Sequence, residues 1–420
     1  MNLTEKIIAR AAGQERVSAD QIVTASVDCA MAHDMLGPKV FADTFERLGG
    51  KIWDRRKAVI VADHYFPAGT VAQADVIALT RKWAREHGVE NYYEGEGPCH
   101  QILAEKGYDF PGTLVVGTDS HTCSSGAFGC LGTGIGSTEM AAVLATGQIW
   151  LRVPRVILVL WNGKLQRGVM AKDMILKVIG DIGHAGATYM ALEFAGSTAD
   201  ALPMDERLCM SNMSVEAGAK AGIFAADETT RLYLAAHGCE RGFEPLRPDA
   251  NADYEKVLSY DAEALVPQVA CPHGVDRVKS VSEVAGVPIQ CAYIGSCTGG
   301  RLHDLKAAVK LLRGRKIASG CRLLVSPASK RIWSEADRQG ILGDLADAGA
   351  TILPPTCGAC AGVHSGLLAA GENCVSSTNR NFRGRMGSRD ACVYLASPAT
   401  AAASALRGRL TDCRELLQEG

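Results

Sequence analysis

No apolar run in this sequence reaches the roughly 18 to 20 residues that a membrane span requires. The N-terminal stretch MNLTEKIIARAAGQERVSADQ has no apolar core between a basic start and a small-residue cleavage site, so no secretory signal is expected. Nor is there a surplus of one charge. The 44 basic and 46 acidic residues leave a formal net charge of -2, without the basic excess that a general nucleic-acid surface needs. The phosphate-loop pattern GxxxxGK[ST] is missing, and around Ser120 the chain reads TDSHTC rather than the GxSxG of a hydrolase elbow. These absences lead to the expectation of a cytoplasmic protein with no membrane or nucleic-acid partner.

What the chain does have is length, thiols and short strands. Its 420 residues suffice for about three domains of roughly 150. Hydrophobic residues at 47% and charged residues at 21% give the balance of a folded globular chain rather than a disordered one. Fifteen cysteines in a chain without a signal argue against a disulfide framework. Most are expected to be small buried hydrophobes, with a functional minority beside Gly and Pro.

Runs rich in β-branched residues recur at 58–62 (AVIVA), 113–116 (TLVV), 156–160 (VILVL), 289–294 (IQCAYI), 322–325 (RLLV) and 350–353 (ATIL). Helix-compatible stretches lie at 75–87, 137–150, 302–312 and 329–345. Such alternation predicts an α/β fold with mainly parallel sheets. Domain boundaries are expected near 153 and 279, giving 1–153, 154–279 and 280–420, with a charged polar stretch at 241–260. No internal repeat is visible. Ligands gather beyond the carboxyl ends of parallel strands, and four of these runs are followed by polar clusters: Asp63-His64, the segment from Asp119 to His121, Ser296-Cys297-Thr298, and Thr356-Cys357. The glycine-rich run 126–136 (GAFGCLGTGIG) predicts backbone packed tightly around a buried ligand, followed by a helix capped by Ser137.

Cys357 and Cys360 form a CxxC that taken alone fits a redox dithiol, half a zinc site or part of an iron–sulfur site. Cys297, 60 residues earlier, ends its own expected strand, and a neighbouring strand of the same sheet could bring it to that loop. Three thiolates on a [4Fe–4S] cluster would leave one iron open to a substrate oxygen. Histidines beside carboxylates at Asp63-His64 and Asp119-Ser120-His121, with His100 and His33, are placed for proton transfer near neutral pH. The stretch NRNFRGR sets three arginines in six residues, and guanidinium forks suit carboxylates.

The motifs GTDSHTCSSGAFGCLGTGIGSTEM, CNMSVEAGAKAGIF, YIGSCTGG, CGACAG and STNRNFRGRMG, in this order along nearly the whole chain, resemble the aconitase superfamily. Within it they are similar to the separate large subunits of 3-isopropylmalate dehydratase and homoaconitase. The resemblance implies three α/β domains holding one [4Fe–4S] cluster with an open apical iron, and a swivelling fourth domain on a separate small subunit. It implies Cys297, Cys357 and Cys360 as cluster ligands, with Asn212 beside the iron. Asp63, His64, His100, Asp119, His121 and Glu216 become catalytic residues, while His33, Ser120, Arg380 and Arg385 bind substrate. The implied reaction moves water on a 2-hydroxy dicarboxylic acid, 3-isopropylmalate of leucine biosynthesis first. Homoaconitate, 2,3-dimethylmalate and citramalate follow, then an RNA-binding or structural metal-binding relative. Two positions depart from the family pattern: Gly299 replaces an asparagine after the first ligand, and Thr356 replaces a glycine before Cys357. Both are expected to bear on cluster stability or substrate choice.

Overall fold

A computed structural model of the chain describes residues 1–239 and 242–418. Arg241, the first residue of the polar stretch expected near a boundary, its neighbour Glu240, and Glu419 and Gly420, at the end of the third expected domain, lie outside the described residues. The chain groups into two compact units. One comprises Met1–Glu94, Cys99–Trp161 and Ala187–Tyr260; the other comprises Gly95–Pro98, Asn162–Gly186 and Asp261–Gly420. The first unit contains two of the three large sheets and the second contains the third. A domain per sheet, divided near 153 and 279, stays a proposal. The stretches 162–186 and 261–279, expected in the middle domain, group with the second unit.

In the first unit, a five-stranded sheet is parallel throughout, with Cys29–His33 in the centre between Ala58–Ala62 and Leu114–Gly117. All three are buried along their length, which is why they read as unbroken apolar runs rather than alternating ones. A second sheet pairs Ala191–Ala195 in parallel with both Val156–Asn162 and Ala221–Phe224. In the second unit, Cys291–Gly295 lies between Arg322–Ser326 and Asn373–Ser376, all parallel, in a seven-stranded sheet. Ala350–Ile352 is the next neighbour beyond Arg322–Ser326. The apolar sides of Leu302–Leu312 and of the alanine-rich helix Pro398–Arg407 pack into this unit's core with Ala292, Ile294 and Val325.

One expected helix ends early and another is split. The stretch 137–150 forms a helix only over Ser137–Thr146, because Gly147 takes a left-handed cap and Gln148–Arg152 pairs antiparallel with Ile22–Ser26. The stretch 329–345 splits into Lys330–Arg338 and Ile341–Ala348 at Gly340, whose φ is 72°. The cap before Ser137 is Gly136: its N–H donates to Glu139 Oε2 at 2.8 Å, while the Ser137 hydroxyl donates to the Leu36 carbonyl at 2.9 Å. The glycine-rich run serves the core. A Cβ on Gly126 would lie 1.9 Å from the Gly222 carbonyl oxygen, and one on Gly132 2.2 Å from that of Thr122. Backbone meeting backbone explains these two glycines.

Candidate active site

The first unit's site grows from three adjacent parallel strands. Their register sets His33 opposite Val61, and Met31 opposite both Val59 and Gly117. The residues that follow, Asp34, Asp63-His64 and Thr118-Asp119, therefore emerge together at one sheet edge, where parallel strands gather ligands. The helix Cys99–Glu105 adds His100, and the 3-10 run Ser120–Phe128 adds Ser120 and His121. A second 3-10 turn, Ser214–Ala217, adds Glu216.

Asp119 is the hub. Its Oδ1 accepts the backbone N–H of His121 at 2.7 Å and lies 3.0 Å from His100 Nε2 and 3.2 Å from His121 Nδ1. Its Oδ2 lies 3.5 Å from His64 Nε2. Burial would raise this carboxyl, but His100 and the hydrogen bonds from His100, His121 and His64 outweigh it and hold Asp119 well below the usual carboxylate range. Beyond the hub, His121 Nε2 pairs with Glu216 Oε1 at 2.8 Å. The chain Asp119–His121–Glu216 can thus orient an imidazole and pass a proton along its length.

Asp63 Oδ1 pairs with His64 Nδ1 at 2.7 Å, and Oδ2 accepts the Cys99 N–H at 2.7 Å. Burial again works against ionisation, yet the His64 contacts leave Asp63 below its ordinary value. Asp34 goes the other way. It accepts the backbone N–H groups of His64 and Tyr65, but burial and then the neighbouring Asp63 push its carboxyl up. His33 stacks on His64 with ring centroids 4.0 Å apart. Burial first, then His64, lowers the His33 imidazole to about 3, so it stays neutral near pH 7. Asn212 is buried on the helix Met204–Met213; its Nδ2 donates to Ser124 Oγ at 2.8 Å, tying that helix to the 3-10 run.

In the second unit, Cys297 follows the strand Cys291–Gly295 through Ser296, a non-glycine residue held at φ 68°. Cys357 and Cys360 follow Ala350–Ile352, two strands away in the same sheet, with Cys360 in the 3-10 turn Gly358–Ala361. All three thiols are buried. Two of them, Cys297 and Cys360, meet at Asn379, and all three act electrostatically on Tyr293. Asn379 is 1% exposed; its Oδ1 accepts from Cys360 Sγ at 3.4 Å and its Nδ2 lies 3.9 Å from Cys297 Sγ. Burial raises the Tyr293 phenol, and Cys360, Cys357 and Cys297 in turn raise it further. Asn379 carried a signal, as the polar residue directly before the arginine cluster. Tyr293 carried none inside an apolar strand.

Arg380 and Arg385 are half-buried and Arg383 is exposed. Arg385 Nε is buried with no hydrogen-bond partner among the described residues, and its guanidinium carbon lies 5.6 Å from the Phe382 ring centroid. The two departures from the family pattern have local causes. A Cβ on Gly299 would stand 2.4 Å from Ser377 Oγ and 2.5 Å from Ser377 Cβ, so Ser377 fills that space. The Thr356 hydroxyl accepts the Gly358 N–H at 3.3 Å and shapes the turn between the two cysteines.

The three buried thiols form an all-sulfur set, the donor chemistry that iron–sulfur clusters take. The groups of the first unit that lie close enough to hold one metal ion, His33, Asp34, Asp63 and His64, and His100, Asp119 and His121, offer only nitrogen and oxygen. Those donors suit proton handling, and the thiols fit the cluster.

Comparison with known proteins places this arrangement. A model of the aconitase family (aconitate hydratase) matches residues 5–286 and 277–408. A 3-isopropylmalate dehydratase large subunit 1 from Methanopyrus kandleri is 47% identical over 417 residues, covering 99% of both chains. A 3-isopropylmalate dehydratase large subunit from Nitratidesulfovibrio vulgaris is 46% identical, with 97% of each chain covered. A 3-isopropylmalate dehydratase large subunit 2 from Archaeoglobus fulgidus is 44% identical across 99% of each. A solved structure of a Thermococcus kodakaraensis aconitase X aligns at 12% identity with TM-score 0.48, covering 86% of this chain and 84% of that one.

Proposed function

The chain belongs to the aconitase family, and from that premise we propose that it is the large subunit of a hydro-lyase that isomerises 3-isopropylmalate and 2-isopropylmalate. The observation that carries this reading is three buried thiols at the ends of strands of one sheet, two of them, Cys297 and Cys360, joined by Asn379. Cys297, Cys357 and Cys360 would hold one [4Fe–4S] cluster, which when bound supplies an open Lewis-acidic iron for a substrate hydroxyl and carboxylate. Arg385, with its unpartnered Nε, and Arg380 take the remaining carboxylate. The histidines around Asp119 handle the proton of the departing or entering water, and His33 contributes a neutral ring. Asn212, buried against Ser124, acts by holding the 3-10 run that carries Ser120 and His121.

We infer a separate small subunit bearing the swivelling domain, supported by relatives named large subunits that align over 99% of their length with this chain. All fifteen cysteines are free, as a reducing cytoplasm would keep them. No helix among the described residues is long and apolar enough to cross a membrane. Ser377 packs into the space that Gly299 leaves, and Thr356 shapes the turn between the cysteines.

The test is anaerobic reconstitution with iron and sulfide analysis of the parent and of a Cys357→Ser/Cys360→Ser variant. The parent should hold a full cluster and the variant almost none. The reconstituted two-subunit enzyme should then prefer 3-isopropylmalate over homoaconitate, 2,3-dimethylmalate and citramalate by kcat/KM. Full cluster occupancy in the double variant would remove the ligand assignment, and preference for a smaller methylated malate would remove the substrate.

A further inference from the structure

Lys172 is 2% exposed, yet it carries an ammonium in the first turn of the helix Ala171–Ile182. Both circumstances are unfavourable. A buried charge loses its hydration, and a cation at a helix N-terminus opposes the helix dipole. Asp173, the next residue, caps the helix start and ties it to the sheet: its carboxylate accepts the N–H of Met170 at 2.8 Å and that of Gln268 at 2.8 Å. A position that tolerates these costs has something to hold.

What Lys172 holds is a strap of chain. Its Nζ donates to the Ser377 carbonyl at 3.1 Å and to the Thr378 carbonyl at 2.6 Å. Ser377 and Thr378 follow the strand Asn373–Ser376 and lead directly into Asn379 and Arg380. The strap is also fastened to the loop of Cys297. Ser377 Oγ accepts the Gly295 N–H at 2.9 Å and lies 3.3 Å from the Gly299 carbonyl, while Thr298 Oγ1 donates to the Ser377 carbonyl at 3.0 Å. One residue later, Asn379 spans Cys360 and Cys297. Lys172, Ser377 and Asn379 therefore form one connected path from a buried cation to two of the three thiols, within a single unit of the fold.

The geometry points to Lys172 as a positioning residue of the thiol centre: it fixes the Ser377–Thr378 strap so that Asn379 bridges Cys297 and Cys360, and it supplies buried positive charge toward whatever the thiolates bind. This rests on the cluster reading above. Three thiolates bring negative charge into a buried site, and a fixed ammonium on adjoining carbonyls offsets it where water cannot. Carbonyls that accept from an ammonium also orient the amides that follow them, so the charge and the placement of Asn379 are set together. Adding an electron to a cluster near that cation is made easier by it, and removing the cation makes reduction harder.

The experiment compares the reconstituted parent with Lys172→Gln, which keeps a donor without charge, and Lys172→Arg, which keeps the charge. Three quantities are read: the midpoint potential of the cluster by EPR-monitored titration with dithionite, the rate at which its visible absorption bleaches in air, and the melting temperature of the cluster-free chain. Lys172→Gln should shift the midpoint to more negative potential and speed bleaching about tenfold, the usual size of an outer-contact effect on a metal site. Lys172→Arg should recover most of both, with melting temperatures close to the parent's. An unchanged midpoint in Lys172→Gln, or a Lys172→Arg variant as impaired as Lys172→Gln, overturns the inference while the cluster reading stands. A parent that binds no iron and sulfide overturns the cluster reading instead. Should Lys172→Gln not fold, Ser377→Ala decides. It removes the hydroxyl link between strap and Cys297 loop but leaves the charge, so it should bleach faster at an unshifted potential, and bleaching at the parent's rate ends the proposal.

Discussion

At the scale of single residues, most of the chemistry sits where apolar strands stop. Arg385 shows how a polar group reads once its surroundings are known. Its Nε is buried without a partner among the described residues, an arrangement that favours an anion arriving from outside the chain. Arg385→Lys should therefore lower kcat/KM by about tenfold or more, since a lysine keeps the charge and loses the fork. The cluster's visible spectrum should not change, and unaltered kinetics would return this arginine to the solvated surface. Asp109 makes a different prediction. It is fully buried, neither carboxylate oxygen has a hydrogen-bond partner among the described residues, and burial pushes its carboxyl up to about 7 against a smaller opposing pull from Ser125. The folded-state value lies above the unfolded one of 3.8. Its contribution is thus fully present below about pH 4 and is lost as pH rises through about 7. Asp109→Asn should flatten that decline, gaining stability on the order of 2 kcal/mol or more at pH 8 and little at pH 4. Equal gains in denaturant midpoint at both pH values would show that the carboxyl does not titrate as described.

At the scale of elements, hydrophobic period located strands well and helix ends poorly. The run 58–62 is the strand Ala58–Ala62 and 302–312 is the helix Leu302–Leu312. The overruns at 137–150 and 329–345 share one cause: a glycine in the left-handed region ends each helix, and an apolar pattern continues past it into the next element. Glycine itself was ambiguous in the sequence, since close backbone approach, turns and ligand contact all select it. The structure separates these uses, and substitution can check the separation. Gly343 lies on the helix Ile341–Ala348, exposed, with nothing within 4 Å of an added Cβ. Gly343→Ala should stabilise the chain by about 0.5–1 kcal/mol through helix propensity. Gly126→Ala, whose Cβ would press on the Gly222 carbonyl, should cost about 3 kcal/mol as an overpacked core does. Denaturant midpoints of the two variants moving in the same direction would contradict this.

At the scale of the whole molecule, the reading requires a partner, so the purified large chain with an intact cluster should turn over 3-isopropylmalate slowly or not at all. Adding the small subunit should raise the rate by about 100-fold or more, the size of effect expected when a positioned proton-transfer group is supplied. Full activity of the large chain alone would remove the partner from the mechanism. The amino-acid sequence by itself determined the α/β class, the parallel strands and the candidate residues at strand ends, because these follow from local apolar runs and from motifs contiguous in the chain. His64, His121 and the cysteines were legible for that reason: each stands beside the run that places it. Tyr293 and Lys172 were not, and Asn379 was visible only as the residue before the arginine cluster, for their meaning depends on residues far away in the chain. Lys172 meets the Ser377 and Thr378 carbonyls across more than 200 residues, and Cys357 and Cys360 act on Tyr293 only because strands far apart in sequence stand in one sheet. The same holds for charge. A histidine in a sequence has one ordinary acidity, and only burial and the company of His64 keep His33 neutral, while three imidazoles around a half-buried carboxylate keep Asp119 ionised. Strand order and desolvation are properties of the packed chain, and they decided which of the legible residues became a site.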